Sequence, residues 1–309
     1  MIIQTGMRTD IPAFYSKWFL NRLHEGYVLV RNPYEHSMVT RYRLDPAVVD
    51  LIGFCSKNPA PMLPYLHELR DYGQYWFVTI TSYGTDIEPH VPPKEQVMET
   101  FKRLSDAVGP DAVAWRYDPI LLTETYTMER HLEDFERMTR NLSGYTTSCV
   151  ISFVDLYQKV KRNFPTLRAL THEEKMELGK QMIRIANDSG MMLRPCAEGD
   201  DLESYGADCG GGMTVSLYEK ALGCHLNAPR RKNQRGGECA CLLGTDIGAY
   251  DTCGHLCRYC YANTDAALVK ENMLRHDLAS PFLMGNLLPG DTVHEAKQER
   301  WADDQLMLS

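Results

Sequence analysis

The chain has 309 residues, more than the roughly 250 of an ordinary (β/α) barrel, so we expect one large domain with a smaller appendage. Apolar residues make up 44% of the sequence and charged residues 24%, which excludes wholesale disorder and fibrous repeats. The formal net charge of −8, without a long basic run, argues against non-specific nucleic-acid binding. We do not expect a nucleic-acid partner, although the charge alone does not exclude one.

The sequence also argues against a membrane partner. Its longest apolar stretches, such as residues 75–80, are far shorter than the roughly 20 residues that a transmembrane helix needs. The N-terminus lacks the basic region followed by an apolar region that marks a secretory signal. We therefore expect a cytoplasmic protein.

From residue 1 to about residue 200, the sequence repeats a short β-rich apolar run, a polar loop and a helix-like stretch. The runs lie at residues 1–5, 27–30, 48–55, 75–81, 112–115, 146–153 and 191–193. Strands separated by helices imply parallel pairing. Seven such units favour an α/β fold of the (β/α)-barrel type, complete or partial, over a doubly wound open sheet. We assign this barrel-like domain to residues 1–200.

The loops after these runs are rich in charged and polar residues. In a parallel barrel the C-terminal ends of the strands meet on one face, where active sites are found. The candidate catalytic residues of this predicted mouth are Asp10, Lys57, Arg116 and Asp118, and the candidate cofactor-binding residues are Arg8 and Asn58. The alternative is that these loops only end strands and start turns. Asp10 is equally placed to cap a helix over residues 14–23.

After residue 200 the sequence changes character, and eight of the ten cysteines lie between Cys196 and Cys260. In a cytoplasmic chain with a full core, this density favours metal or redox chemistry over disulfides. We predict a Cys-rich segment over residues 201–263. A tail follows over residues 264–309, helical at first and then loose.

The clearest motif is a C-x3-C-x2-C triplet formed by Cys253, Cys257 and Cys260. Three thiolates on one tight loop hold three irons of a [4Fe-4S] cluster and leave the fourth iron without a protein ligand. A structural zinc ion needs four protein ligands, so a zinc site here requires a further ligand from His255, Cys241 or Cys239. The spacing favours a cluster and leaves zinc open.

The remaining cysteines suggest a second metal site. Its candidate ligands are Cys196, Cys209, Cys239 and Cys241. Four thiolates suit a second, fully ligated [4Fe-4S] cluster or a structural zinc ion. The alternative is that several of these cysteines are buried small side chains without a ligand role.

The triplet, with Tyr259 just before its last cysteine, resembles the signature of the radical S-adenosylmethionine enzymes. In that family the open iron is chelated by the amino and carboxylate groups of the methionine moiety, and electron transfer cleaves the sulfonium to give a 5′-deoxyadenosyl radical. The resemblance implies S-adenosylmethionine as cosubstrate and Tyr259 as a cofactor-binding residue. It also implies a reductant such as ferredoxin or flavodoxin as partner.

More of the chain resembles DUF1848, a family of uncharacterised bacterial proteins that pairs a barrel-like N-terminal region with a C-terminal cysteine cluster. The stretches that carry this resemblance lie at residues 8–14, 57–59, 115–120, 152–155 and 246–263. Together they span about residues 1–263. The family name supplies no reaction.

We therefore expect an iron–sulfur enzyme of the radical S-adenosylmethionine type, in which the Cys-rich segment covers the polar mouth and the substrate is unknown. Two other classes stay open: an iron–sulfur electron-transfer or redox-sensing protein without this cosubstrate, and a zinc-stabilised barrel with a binding role. The sequence contains no Gly-x-Ser-x-Gly elbow, no Gly-x4-Gly-Lys-Ser/Thr loop and no His-Glu-x2-His motif, so hydrolase and NTPase functions lack a motif.

Overall fold

The computed structural model describes residues 1–229 and 240–306. Within these ranges the strands are, in chain order, β1 (Ile2–Gln4), β2 (Tyr27–Arg31), β3 (Met38–Arg43), β4 (Leu51–Ser56), β5 (Gly73–Thr79), β6 (Val113–Ile120), β7 (Ser148–Phe153), β8 (Met192–Pro195), β9 (Cys224–Leu226), β10 (Thr245–Asp246), β11 (Thr292–Glu295) and β12 (Ala302–Leu306). The α-helices of the same ranges are α1 (Ile11–Phe14), α2 (Ser16–Glu25), α3 (Lys94–Val108), α4 (Met128–Leu142), α5 (Gln158–Asn163), α6 (His172–Asp188), α7 (Val215–Leu222) and α8 (Ala266–Arg275).

The fold is built on a parallel sheet of seven described strands in the order β10-β1-β4-β5-β6-β7-β8. This confirms the prediction of a parallel α/β fold. The edge strands β10 and β8 do not pair with each other in the described residues, so the structure shows a parallel sheet flanked by helices without showing a closed barrel. Smaller sheets form from β11, β3 and β2 and from β12 and β9.

Six of the seven predicted runs become strands of the central sheet. The run at residues 27–30 is the exception, because β2 pairs antiparallel with β3 in a separate sheet. The reason is local: the side-chain oxygen of Asn32 accepts the backbone N–H groups of Tyr34 and Glu35 and turns the chain straight back. A hairpin of this kind gives antiparallel pairing, whereas parallel pairing needs a long crossover. The seventh position is taken by β10.

Both faces of the central sheet are covered. On one face Phe54 and Trp76 stack with ring centroids 3.9 Å apart, and Phe19 of α2 packs edge-on to Phe54 at 5.9 Å. Because side chains alternate along a strand, Tyr75 points to the opposite face. There Tyr218 of α7 packs against it with centroids 5.2 Å apart. Buried side chains from all three predicted segments join one core, and the segment boundaries at residues 200 and 263 stay predictions.

The predicted helix after β1 begins where the sequence placed its cap. The Asp10 carboxylate accepts the backbone N–H of Ala13 at 3.0 Å and so caps α1, which has Pro12 in its first turn. The predicted range of residues 14–23 is then divided between the end of α1 and most of α2, which meet at Tyr15. The prediction of a capping role for Asp10 is therefore confirmed.

No helix in the described part of the chain has the length and apolar character needed to cross a membrane.

Candidate functional site

The loop that carries the cysteine triplet, residues 251–263, is called here the cysteine loop. It lies against the segments that follow β1 and β5. The Tyr15 hydroxyl donates to the carbonyl of Thr252 at 2.7 Å, and the Tyr261 hydroxyl donates to the carbonyl of Met7 at 2.6 Å. The loop is thus bound to the edge of the sheet at which the parallel strands end, beside most of the predicted mouth residues.

Asp10 joins three parts of this region. Besides capping α1, its carboxylate accepts the backbone N–H of Lys57 at 2.8 Å and lies 2.9 Å from Nε2 of His255 in the cysteine loop. The other ring nitrogen of His255 faces the carbonyl of His90 at 3.3 Å. Each ring nitrogen of His255 therefore already has a protein oxygen as its partner, and neither is free to bind a metal ion.

Glu88 is the centre of a second buried group. Its Oε1 accepts Nζ of Lys57 at 2.8 Å, the hydroxyl of Thr81 at 2.8 Å, and the hydroxyl of Tyr259 from the cysteine loop. Burial by itself raises the pKa of Glu88, but Lys57 and the two hydroxyls outweigh it and leave that pKa below its usual value. Burial by itself lowers the pKa of Lys57, but Glu88 and other nearby charges leave it raised. The two side chains therefore form a buried ion pair beside the cysteine loop.

Sequence reasoning did not select Glu88 as a site residue. It lies in a polar loop after a predicted strand, as many residues do, and its partner Lys57 is 31 residues away in the chain. The hydroxyl of Tyr259 binds this carboxylate, and the cofactor-binding role of Tyr259 stays a prediction. Its ring lies under the Lys57 ammonium at 5.7 Å.

The three cysteines of the loop are free thiols in a mostly buried setting. Burial raises the pKa of Cys257 to about 12, against the opposing effect of Lys57. Burial and then the Asp10 carboxylate raise the pKa of Cys253. Cys253 and Cys257 are therefore protonated at neutral pH, and metal binding must displace their protons.

The donor set of the cysteine loop suits an iron–sulfur cluster. Its three soft sulfur donors come from one short loop, and the backbone N–H of Ala262 points at Sγ of Cys260 at 3.4 Å. His255 cannot serve as a fourth ligand for zinc while both its nitrogens are bound. Within the described ranges no group of three or more His, Cys, Asp or Glu side chains is placed to hold a single metal ion. The cysteines of a cluster bind different irons and need not converge on one point.

Arg116 and Asp118 form an ion pair at the C-terminal end of β6, and the hydroxyl of Ser152 from β7 donates to the same carboxylate. The guanidinium lies 5.3 Å from the ring centroid of Phe77. Its Nε–H is buried without a hydrogen-bond partner. Asp118 also contributes to the raised pKa of Lys57, so the two groups lie within electrostatic reach of each other. Arg116 thus keeps a spare donor in this region.

Arg8 and Asn58 are occupied elsewhere. Arg8 binds the carboxylate of Asp246 at 2.5 Å and its carbonyl at 2.8 Å, which ties the end of β1 to β10. Asn58 accepts the backbone N–H of Ala60 at 3.3 Å and thereby forms a turn. Their cofactor-binding roles stay predictions.

The candidate ligands of the second site lie in different surroundings. Cys196 contributes to the raised pKa of Arg116, and Cys241 to those of Tyr75 and Tyr218 in the core. Burial, followed by nearby carboxylates, raises the pKa of Cys209. Cys239 lies outside the described residues. The three described cysteines are not gathered into a group placed to hold a metal ion.

The substitution Asp10→Asn tests how the cysteine loop is held. We expect the loop to detach from the strand ends, because a neutral amide cannot replace the charge-assisted bond to His255. The measurement is amide hydrogen exchange over residues 251–263, which we expect to speed up at least about tenfold for the loss of a bond worth roughly 1.5–3 kcal/mol. Asp71→Asn, at an exposed position, is the control and should leave this exchange unchanged. Equal protection in both variants would show that other contacts hold the loop.

The model of a protein family described as a domain of unknown function, DUF1848, matches residues 2–262. This range contains the parallel strands, the loops that follow them and nearly all of the cysteine loop. A search of curated proteins finds no match for the chain.

Proposed function

The chain belongs to the DUF1848 family, and because the function of that family is unknown, we propose from the side chains themselves that the protein is an iron–sulfur enzyme of the radical S-adenosylmethionine type. Cys253, Cys257 and Cys260 would hold a [4Fe-4S] cluster. The observation that carries the proposal is the position of these three thiols on one short loop, bound at the edge where the parallel strands end. The substrate is not assigned.

The chemistry that such a cluster supplies when bound is the delivery of one electron to S-adenosylmethionine. The protein's own groups position the loop: Asp10 holds it through His255, and Glu88 holds it through Tyr259. Lys57 neutralises Glu88 close to Cys257, whose thiol it also favours in the charged form. The Asp10–His255 and Glu88–Tyr259 contacts hold the loop in place and leave its three thiols out of these bonds.

Arg116 is the residue best placed to bind an anionic group of the cosubstrate or substrate. Its Nε–H has no partner, and a guanidinium N–H forms a charge-assisted hydrogen bond to a carboxylate. Asp118 orients the guanidinium through their ion pair and is itself fixed by Ser152. In this proposal Asp10 and, through Glu88, Lys57 hold the cysteine loop near this ion pair.

The proposal keeps two finer interpretations of the sequence. One is the (β/α)-barrel type of fold, complete or partial, which the parallel order of the seven strands and the helices between them support. The other is a cytoplasmic location, supported by the free thiols of Cys253, Cys257 and Cys260 in the cysteine loop. A zinc-stabilised barrel is less well supported, because His255 is not free to be a fourth ligand.

The test is anaerobic reconstitution of the full chain with iron and sulfide, followed by electron paramagnetic resonance of the reduced protein with and without S-adenosylmethionine. We expect a reduced-cluster signal that S-adenosylmethionine shifts, together with formation of 5′-deoxyadenosine. A signal that the cosubstrate does not change would replace the proposal with electron transfer or redox sensing. A colourless protein that retains one zinc ion per chain would replace it with the zinc-stabilised barrel.

A further inference from the structure

A cavity of about 320 Å³ lies at the edge of the sheet where the parallel strands end, and it has no role in the proposed chemistry. Its walls come from the end of β7, the first turns of α6 and the loop that follows β8. On α6, Lys175 and Met176 follow His172 by three and four residues, so the three side chains share one face of the helix. Ligand cavities in proteins typically measure about 300–1,000 Å³, so this cavity suits a small molecule.

The wall formed by the loop after β8 is fixed to both of its neighbours. Leu202 packs so closely on α6 that a Cβ added to Gly179 would lie 2.6 Å from its Cδ1. The carboxylate of Glu198 accepts the backbone N–H of Phe153 through Oε1 at 2.9 Å and Nζ of Lys175 through Oε2 at 2.7 Å. These contacts join the loop to α6 and to β7, so the cavity is held open by the fold itself.

The cavity lies on the other side of β7 from the Arg116–Asp118 ion pair. Side chains alternate along a strand, so Ser152 and Phe153 point to opposite faces of the sheet. Ser152 donates to Asp118, whereas Phe153 lines the cavity. The cavity is therefore separate from the groups that the proposed function uses.

The lining of the cavity combines an apolar wall with two opposite charges that have free bonding positions. The apolar wall consists of Phe153, Leu170, Met176 and Leu202. Among the described residues, Nζ of Lys175 donates only to Glu198, which leaves two of its three N–H groups for a ligand. In the same part of the chain Asp201 accepts no hydrogen bond, since Nδ1 of His172 lies 3.7 Å from its carboxylate and is too distant for one.

We propose that this cavity binds an apolar α-amino acid, with its side chain on the apolar wall, its carboxylate on Lys175 and its ammonium group on Asp201. An anion without an ammonium group would meet the carboxylates of Glu198 and Asp201, and a cation without a carboxylate would meet Lys175. A free amino acid carries both charges beside an apolar body, so each of its charged groups finds an opposite partner. This inference goes beyond the proposed function and does not depend on it.

The experiment is isothermal titration calorimetry of the full chain, before any reconstitution with iron and sulfide, with L-phenylalanine and two analogues. Hydrocinnamate keeps the ring and the carboxylate without the ammonium group, and phenethylamine keeps the ring and the ammonium group without the carboxylate. We expect L-phenylalanine to bind at least about tenfold more tightly than either analogue, because each analogue loses one charge-assisted hydrogen bond. An analogue that binds as tightly as the amino acid, or no binding of L-phenylalanine, would overturn the proposal.

Two variants place the ligand in the cavity. Lys175→Met should remove the preference for L-phenylalanine over phenethylamine, and Asp201→Asn should remove its preference over hydrocinnamate. Lys180→Met is the matched control, because this lysine lies on the same helix beside Tyr205 and outside the cavity lining, and all three affinities should stay unchanged.

The Asp201 side chain is 60% exposed, so Asp201→Asn decides the question even if Lys175→Met does not fold. A preference over hydrocinnamate that survives in Asp201→Asn would place the ligand elsewhere and overturn the proposal. Because the protein is titrated before reconstitution, amino-acid binding and cluster formation are separate results, and the failure of one leaves the other standing.

Discussion

The variant Cys257→Ala is expected to lose the iron–sulfur chromophore after anaerobic reconstitution. Cys257 is the middle cysteine of the triplet, is 5% exposed, and lies beside Lys57, which favours its thiolate. In the proposed site the thiolate of Cys257 binds iron directly. Its removal should therefore lower the affinity for the metal by more than the roughly 10–100-fold that follows the loss of an outer-shell partner. The measurements are iron content per chain and the visible absorbance of the reconstituted protein.

Cys224→Ala is the matched control for this variant, because it removes a half-buried thiol from β9, outside the cysteine loop. It should reconstitute like the unmodified protein. Both variants should show the same thermal unfolding before reconstitution, so that a loss of iron reports a lost ligand and not a lost fold. Normal iron content in Cys257→Ala would move the metal site away from the triplet.

The parallel sheet was predictable because its strands are buried and apolar on both faces. Such strands appear in the sequence as short continuous apolar runs, as in Ile52 and Phe54 of β4 or Trp76 and Val78 of β5. The run at residues 27–30 has the same appearance, but it forms a hairpin with β3 and therefore lies in the smaller sheet that contains β3. The two residues of β10 are too few to give any hydrophobic period. Pattern thus identified strands better than it identified their partners.

In the candidate site, too, the features formed by neighbouring residues could be predicted from the sequence, and the contacts between distant residues could not. The cysteine triplet and the Asp10 cap are visible because each depends on a short spacing within one stretch of the sequence. The bonds that assemble them are not local: Asp10 and His255 are 245 residues apart in the chain. Arg8 shows the converse, since a charged residue in a strand-end loop is used to hold Asp246 of a neighbouring strand. Residue type alone does not separate these roles.

The variant Lys57→Met is expected to lower the free energy of unfolding by about 3–5 kcal/mol. Its side chain and that of Glu88 are 13% and 4% exposed, so removing the cation leaves a carboxylate buried without its charge partner. The measurement is chemical denaturation at neutral pH. Lys220→Met is the control, because it breaks the Lys220–Asp111 pair, whose N···O distance of 2.7 Å is similar but whose side chains are 55% and 36% exposed. This variant should lower the free energy of unfolding by at most about 1 kcal/mol.

The dependence on pH separates a lost charge partner from lost packing. In the unmodified protein the pKa of Glu88 is below its usual value of 4.5. The ionised carboxylate therefore stabilises the folded protein at pH values above 4.5, and this stabilisation is lost as the pH falls through the lower pKa of the folded state. In Lys57→Met, burial is no longer opposed by the ammonium, and the carboxyl takes up its proton at a higher pH. The stability difference between the two proteins should therefore shrink as the pH falls below about 5.

The double variant Lys57→Met/Glu88→Gln completes the argument, because it removes both charges and keeps a hydrogen-bonding group for Thr81 and Tyr259. We expect it to be more stable than Lys57→Met alone, with a coupling free energy of about 1–3 kcal/mol between the two positions. Additive effects, with a difference that does not change with pH, would mean that Lys57 stabilises the protein by packing on Tyr259. The ion pair would then have no part in holding the cysteine loop.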